Sequence, residues 1–378
     1  MRLKRICKSL MGGLLLAGAT TLAQAAMPMD IYVTNNADTG VGTLRWAVAI
    51  SNSTTGVQSI GFSLANTITV HSAISISAPT LIDGIGAQVI GSTGTSAPVI
   101  LFLTSGSSGT TITGCAFINS SLAVDVQANG NIINNCRFGL DYANAAHANG
   151  TGLRVFSCSG GTIQDCIFGN NNNGVQLNSS SNVRIQGCYA GLLSSGAACG
   201  NFVGINLYNS RNCVLGGSLL DGSQRNVVSG NSGVGILVQF SSYGNNLCGN
   251  VIGLNTAMTA AVPNTYGIRL AAQAHDNYIG LPQANYGNVI AGNSVAGIYA
   301  YEANMGSQPR YNVIQNNLIG LNPSGAEFAN NTGILLTNAD GFLIGGSSAG
   351  GAREATVISK STNSGIHLSG NGNTISGN

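Results

Sequence analysis

Charge is what this sequence has least of. Only 7% of its 378 residues are Asp, Glu, Lys or Arg, against roughly 25% in an ordinary soluble domain. No Lys/Arg cluster follows the first few residues, so the chain lacks the electrostatic footprint of a nucleic-acid binder. No CxxC pair occurs, His71, His147, His275 and His367 are scattered, and no calcium-loop spacing is present. No metal and no cofactor are therefore expected. DD, DxD and ExD doublets are absent as well, and no helical hydrophobic period appears after residue 60. Past the N-terminus, no apolar run reaches the eighteen or so residues of a membrane helix, so the mature chain should have no transmembrane span.

Hydrophobic residues make up 44% of the sequence and glycine supplies 54 positions. Such a chain can bury a core, and without a collagen period its glycine must serve turns. Arg2, Lys4, Arg5 and Lys8 precede the apolar run MGGLLLAGATTLA, which ends in Ala23-Gln24-Ala25. This succession predicts a signal peptide over residues 1–25. Its removal leaves 10 basic and 12 acidic residues, and 10 − 12 gives a formal charge of −2. The expected location is extracellular or at the cell surface, with the periplasm also compatible.

A short pattern recurs through the rest: GLRV at 152, GVQL at 174, GINL at 204, GILV at 235, GIRL at 267, GIYA at 297, GILL at 333 and GIHL at 365. The steps are 22, 30, 31, 32, 30, 36 and 32 residues. Interleaved with it run TIQDCIFGN, NLCGNVIGLN, NVIQNNLIGLN and similar stretches, each with period-two alternation between Gly and Asn. Short strands at a fixed long period, with no helix between them, predict an all-β, right-handed parallel β-helix solenoid whose coils stack about 4.8 Å apart. Ile205 and Leu207 should point inward and Asn206 outward. Gly should fill corners of positive φ, and Asn should bond to its counterpart in the next coil. In NVIQNNLIGLN, Val313, Leu318 and Ile319 are the expected core, with Asn316 and Asn317 as corner and ladder residues.

Segment 31–52, IYVTNNADTGVGTLRWAVAISN, resembles the N-terminal region of bacterial exported right-handed parallel β-helix repeat proteins, which share the pectin-lyase-like fold. The match runs through Val33, Thr34, Asn35, Asp38, Gly40, Gly42, Leu44, Arg45, Ala47 and Asn52, although Ser51 replaces the usual Ala. The resemblance implies fold and export and transfers almost nothing about activity. Residues 42–52 form the one plausible short helix, with Leu44, Ala47, Val48 and Ile50 on its apolar side. It is read as the cap of the first coil, with Trp46 packing in that cap. The expected organisation is a signal peptide over 1–25, cap and first coils over 26–100, and repeats over 101–378. The repeat pattern still runs at NTISGN, so the expectation is a fragment of a longer repeat protein.

Eight cysteines follow the signal segment. Cys115, Cys136, Cys166 and Cys188 fall at matching strand positions, and Cys136, Cys166 and Cys188 read as an interior thiol ladder. A disulfide involving Cys158, Cys199, Cys213 or Cys248 is equally consistent with the spacing.

The same fold serves polysaccharide lyases and glycoside hydrolases, so an enzyme has to be argued from residues. Nine Asp and three Glu are spread along the chain. The nearest groupings are Arg269 and Asp276 with Glu302 on the next coil, and Asp141 with Asp165. Turn capping is the ordinary use of an Asp such as Asp276. No catalytic residue is assigned, and a carbohydrate-active lyase or hydrolase stays as the alternative. The outward residues of the GIxL strands form one column, Arg154, Gln176, Asn206, Leu237, Arg269, Tyr299, Leu335 and His367. A second column runs Phe156, Asn178, Tyr208, Gln239, Ala271, Tyr301, Thr337 and Ser369. Tyr208, Arg269, Tyr299 and Tyr301 then share one face with amides around them, which suits a polysaccharide or a cell-surface glycan. The expected function is non-catalytic contact of that kind, in adhesion or at a cell surface.

Overall fold

The computed structural model describes residues 31–92, 99–304, 306–346 and 354–378. The signal segment expected over 1–25 lies outside the described residues. The chain winds into coils of three parallel strands, for example Val203–Tyr208, Val214–Gly216 and Val227–Val228, followed one coil later by Val234–Gln239, Asn246–Cys248 and Val251–Ile252. Among the described residues the longest strand of each coil joins an 11-stranded sheet, and the two shorter ones join a 22-stranded sheet that wraps the remaining sides. This is the right-handed parallel β-helix expected from the repeat.

One α-helix, Leu44–Ser53, is present among the described residues, and it buries Leu44, Ala47, Val48 and Ser51 against the first coils. The Thr43 hydroxyl accepts from the Trp46 N–H and stops the helix from fraying. Ile50 and Trp46 are half-buried and pack against the same core. Arg45 fixes the cap to its neighbours through Asp38 at 2.7 Å and the carbonyls of Ser72 and Ala73. The helix covers apolar surface that the first coil would otherwise expose.

Alternation does the rest. Ile205 and Leu207 are fully buried, and the same position carries Ile236, Ile268, Ile298 and Ile334 in the following coils. Phe117, Phe138 and Phe168 stack inside with ring centroids 5.4 and 4.9 Å apart.

Asparagine closes the corners from within. Asn149, Asn171, Asn201, Asn231, Asn264, Asn293 and Asn330 form one ladder in which each side-chain amide donates to the next carbonyl oxygen at 2.9–3.0 Å. The recurrent Gly of the GIxL strands serves this ladder and not a corner. None of them has positive φ. A Cβ at Gly297 would lie 2.7 Å from the Gly333 carbonyl oxygen and 3.1 Å from the Asn330 amide nitrogen. Other glycines do fill left-handed corners, as Gly139, Gly191, Gly253 and Gly320 show with φ between +81° and +95°.

A second column changes chemistry halfway. Cys115, Cys136, Cys166 and Cys188 stand in register, and the column continues as Asn226, Asn250, Asn288 and Asn317. All eight cysteines are free and buried. Cys158 stacks under Ser180, Cys213 under Asn245, and Cys248 follows Gly216, so none of these has a sulfur on the paired coil named. Burial pushes the Cys158 and Cys213 thiols up to about 11 and those of Cys199 and Cys248 up to about 12. Thiolate is the reactive form. The native protein should therefore resist iodoacetamide at neutral pH, and all eight should alkylate on unfolding without reductant. Mass spectrometry reads both, and fewer than eight labels on the unfolded chain would reveal a bridge.

NVIQNNLIGLN holds two strands of one coil, Val313–Ile314 and Leu318–Ile319. Ile314 and Ile319 are the buried residues, whereas Val313 and Leu318 are half-exposed. The expected phase was one residue off at two positions, because Asn312 and Asn317 already turn inward as ladder residues just before each strand. Asn316 takes the corner with φ +57°.

Candidate functional site

The first outward column falls in register at every step, and the second does so on either side of Ala271. Arg154 pairs with Gln176, Gln176 with Asn206, Asn206 with Leu237, Leu237 with Arg269, Arg269 with Tyr299, Tyr299 with Leu335, and Leu335 with His367. The structure therefore brings Arg269, Tyr299 and Tyr301 together on the long-strand sheet. Tyr301 projects from the same face as Tyr299, two residues along one strand, and their rings lie parallel at 5.9 Å.

Tyr266 joins them, with its ring 4.7 Å from that of Tyr299 at 16°. Alternation alone assigns Tyr266 to the inward face with Ile268 and Leu270, so the sequence reading missed it. The register skips Gly267, and Tyr266 emerges outside, packed beside Val203, Val234 and Leu237.

The Arg269 guanidinium lies 5.7 Å from the Tyr299 ring centroid, within cation–π range. Its Nε is buried without a hydrogen-bond partner. No ion pair joins Arg269 to a carboxylate among the described residues. Burial, with the neighbouring Tyr266, pushes the Tyr299 phenol upward, which keeps it neutral and able to donate. The strip thus offers flat apolar rings, phenolic hydroxyls and an uncompensated cation.

Tyr208 stands elsewhere. It shares the Tyr301 column but lies three coils earlier, and its ring stacks on Phe240 at 4.3 Å. Those two rings line a cleft of about 540 Å³ with Ser241, Gln273, Glu302 and Asn304. Glu302, adjacent to Tyr301, thereby connects the strip to the cleft.

The acids named from sequence do not assemble. Asp276 sits at a left-handed corner, φ +51°, with His275 Nδ1 2.7 Å from its carboxylate. Glu302 accepts from the backbone N–H groups of Ala272 and Ala303. No hydrogen bond links Arg269, Asp276 and Glu302 among the described residues. Asp141 caps the Ala145 N–H and lies 3.3 Å from His147. Asp165 lines a different cleft, about 390 Å³, beside Arg137 and Tyr142, where burial raises its carboxyl. No group of three or more His, Cys, Asp or Glu able to hold a metal occurs among the described residues.

Sequence reasoning also overlooked Asp125. It stands one coil before Arg154 in the same column, buried, and accepts from Arg154 Nε at 2.9 Å and Nη2 at 2.7 Å. This pair occupies the N-terminal part of the face.

Residues 99–281 match the family model described as "Right handed beta helix region". The chain has the right-handed parallel β-helix fold. No curated protein matches it in sequence. Among solved structures, the Dettilon tailspike protein (gp208) superposes with a TM-score of 0.55 at 17% identity, over 92% of this chain and 67% of its own. Geobacillus virus E2 ORF18 gives 0.50 at 14% identity, over 82% and 60% respectively. The chain thus spans 60% to 67% of the length of these two proteins. At such identities the likeness shows the fold alone. No helix among the described residues is long and apolar enough to cross a membrane.

Proposed function

We propose that this protein is exported, acts at the cell surface or outside the cell, and contacts a polysaccharide or cell-surface glycan without catalysing a reaction. The observation that supports this reading most directly is the strip of Tyr266, Tyr299 and Tyr301 with Arg269, three rings within 16° of parallel in each contacting pair beside a cation with no ion-pair partner among the described residues. Pyranose rings have apolar faces that stack on aromatic rings, and their hydroxyls or carboxylates accept from Arg and Tyr. The strip is carried on a rigid, hydrogen-bonded sheet, so little ordering entropy opposes binding. Tyr208 extends the contact surface into the adjoining cleft.

The test is retention on an array of neutral and acidic polysaccharides. Tyr299→Ala with Tyr301→Ala should weaken binding of the retained glycan by about ten-fold or more, with the thermal unfolding profile unchanged. Equal retention by the variant would mark the strip as ordinary solvated sheet. The purified protein should release no reducing or unsaturated sugar from the same array. Turnover lost on Glu302→Gln or Asp165→Asn would replace this reading by a lyase or hydrolase.

A further inference from the structure

The corner that follows each long strand changes length along the solenoid. Between the column residue of the long strand and the inward residue of the next side, the chain places Asn209 alone in one coil and Phe240 with Ser241 in the next. Ala272 with Gln273 follow in the third, and residues 302–304 and 306–308 in the fourth. A single residue, Asn338, fills the same place one coil later. In a solenoid, local insertions collect on the face that meets a ligand. Here they build the walls of the cleft that holds Tyr208 and Phe240.

We infer that this cleft is a subsite for a neutral, hydroxyl-rich oligosaccharide lying along the solenoid axis, an inference that rests on the glycan-contact reading above. Four successive coils line it, and three steps of about 4.8 Å give a length of about 14 Å, suited to several sugar units in a row. The floor is the stacked pair Tyr208 and Phe240, and Phe240 is 47% exposed, so its ring is available for stacking. The rim consists of Asn209, Ser241, Gln273, Asn304 and Ser307, groups that donate to and accept from hydroxyls.

Charge selects the class. No Lys, Arg or His lines the cleft, and its one ionisable acid is Glu302. That carboxylate is held in place by the Ala272 and Ala303 N–H groups at 3.2 and 3.0 Å. An acidic sugar would meet it without a compensating cation, whereas a neutral sugar can donate a hydroxyl to it.

The backbone adds a second mark of selection. The same corner is left-handed at Ser157, Ser179, Asn209 and Asn338, and here it carries Phe240 at φ +50° and Ala272 at φ +44°, residue types for which that region costs about 1–3 kcal/mol. Asn would fit the Phe240 corner with less strain. A bulky ring held there is what a stacking platform requires.

Calorimetric titration with cellohexaose, maltohexaose and mannohexaose as neutral probes, and hexagalacturonate as the acidic one, tests this. At least one neutral hexaose should bind saturably, more tightly than its own disaccharide and more tightly than hexagalacturonate. Phe240→Asn, which keeps a residue at ease in the corner, should weaken that hexaose by about ten-fold without lowering the melting temperature. Glu302→Gln should tighten hexagalacturonate several-fold, more at low salt than at high salt. Absence of binding by every neutral hexaose, preference for hexagalacturonate, or no effect of Phe240→Asn would each overturn the inference. If Phe240→Asn is silent while Tyr299→Ala with Tyr301→Ala abolishes binding, the cleft assignment falls and the glycan-contact reading stands. If both variants bind as the parent does, both fall.

Discussion

An Asn264→Ala variant should lose about 3–5 kcal/mol of stability, an effect as large as emptying an aromatic core position. Asn264 is fully buried in the middle of its ladder. Its carbonyl oxygen accepts from the backbone and side-chain nitrogens of Asn231 at 3.0 and 2.9 Å, and its amide donates to Val228 O and Asn293 Oδ1, both at 3.0 Å. Alanine removes both ends at once. The Asn231 backbone N–H then loses its acceptor where no solvent reaches, and each such buried group costs about 1–3 kcal/mol. Asn264→Asp, equal in size but without the two donors, should also destabilise. Denaturant unfolding of the full chain reads both variants. A loss under about 1 kcal/mol for Asn264→Ala would mean that the ladder fills space without contributing stability.

The second large effect concerns the pair that sequence reading passed over. Arg154→Met should cost about 3 kcal/mol, because it strands the Asp125 carboxylate, only 2% exposed, with Gln127 at 3.0 Å as its remaining side-chain donor. Adding Asp125→Asn should return most of that loss, since the neutral pair has no charge to solvate. A double-mutant cycle separates the two contributions. If Arg154→Met and Asp125→Asn simply add, the charges are not coupled and the bidentate contact is incidental.

Most of the fold was written in the spacing of the repeat. GINL, GILV, GIRL and GIYA fix which residues alternate inward, and the outward column from Asn206 through Leu237 and Arg269 to Tyr299 is in register at every step. The cap was legible because LRWAVAISN carries the chain's one helical period. Where the phase failed, as at Val313 and Leu318, the reason was an inward Asn immediately before the strand, which shifts alternation by one residue. Propensity cannot reveal that shift, since Asn reads equally well as a corner.

The site was legible in one direction only. A column can be read from a repeat, and that reading brought Arg269, Tyr299 and Tyr301 to one place. The cleft depends on what breaks the repeat. The step of 36 residues between GIYA and GILL was its one visible trace in the sequence, and it marked the insertion at 302–308 without showing which side of the coil receives it. Phe240 gave no signal at all, because a single extra residue in a 32-residue step looks like any other turn.

The asparagine ladder also gives the solenoid a sense of direction. Along it, every Asn-to-Asn bond runs from an amide to the carbonyl of the later coil, while the amide's other bond goes back to a backbone carbonyl of the earlier coil, as from Asn264 to Val228. Within the Asn column alone, a cut between two coils would leave amide donors on the earlier coil facing carbonyl acceptors on the later one, beside backbone groups of both kinds on each surface. Between copies stacked end to end through this core, the Asn column would match only in a head-to-tail order, the arrangement that grows into a filament and does not close into a two-fold dimer.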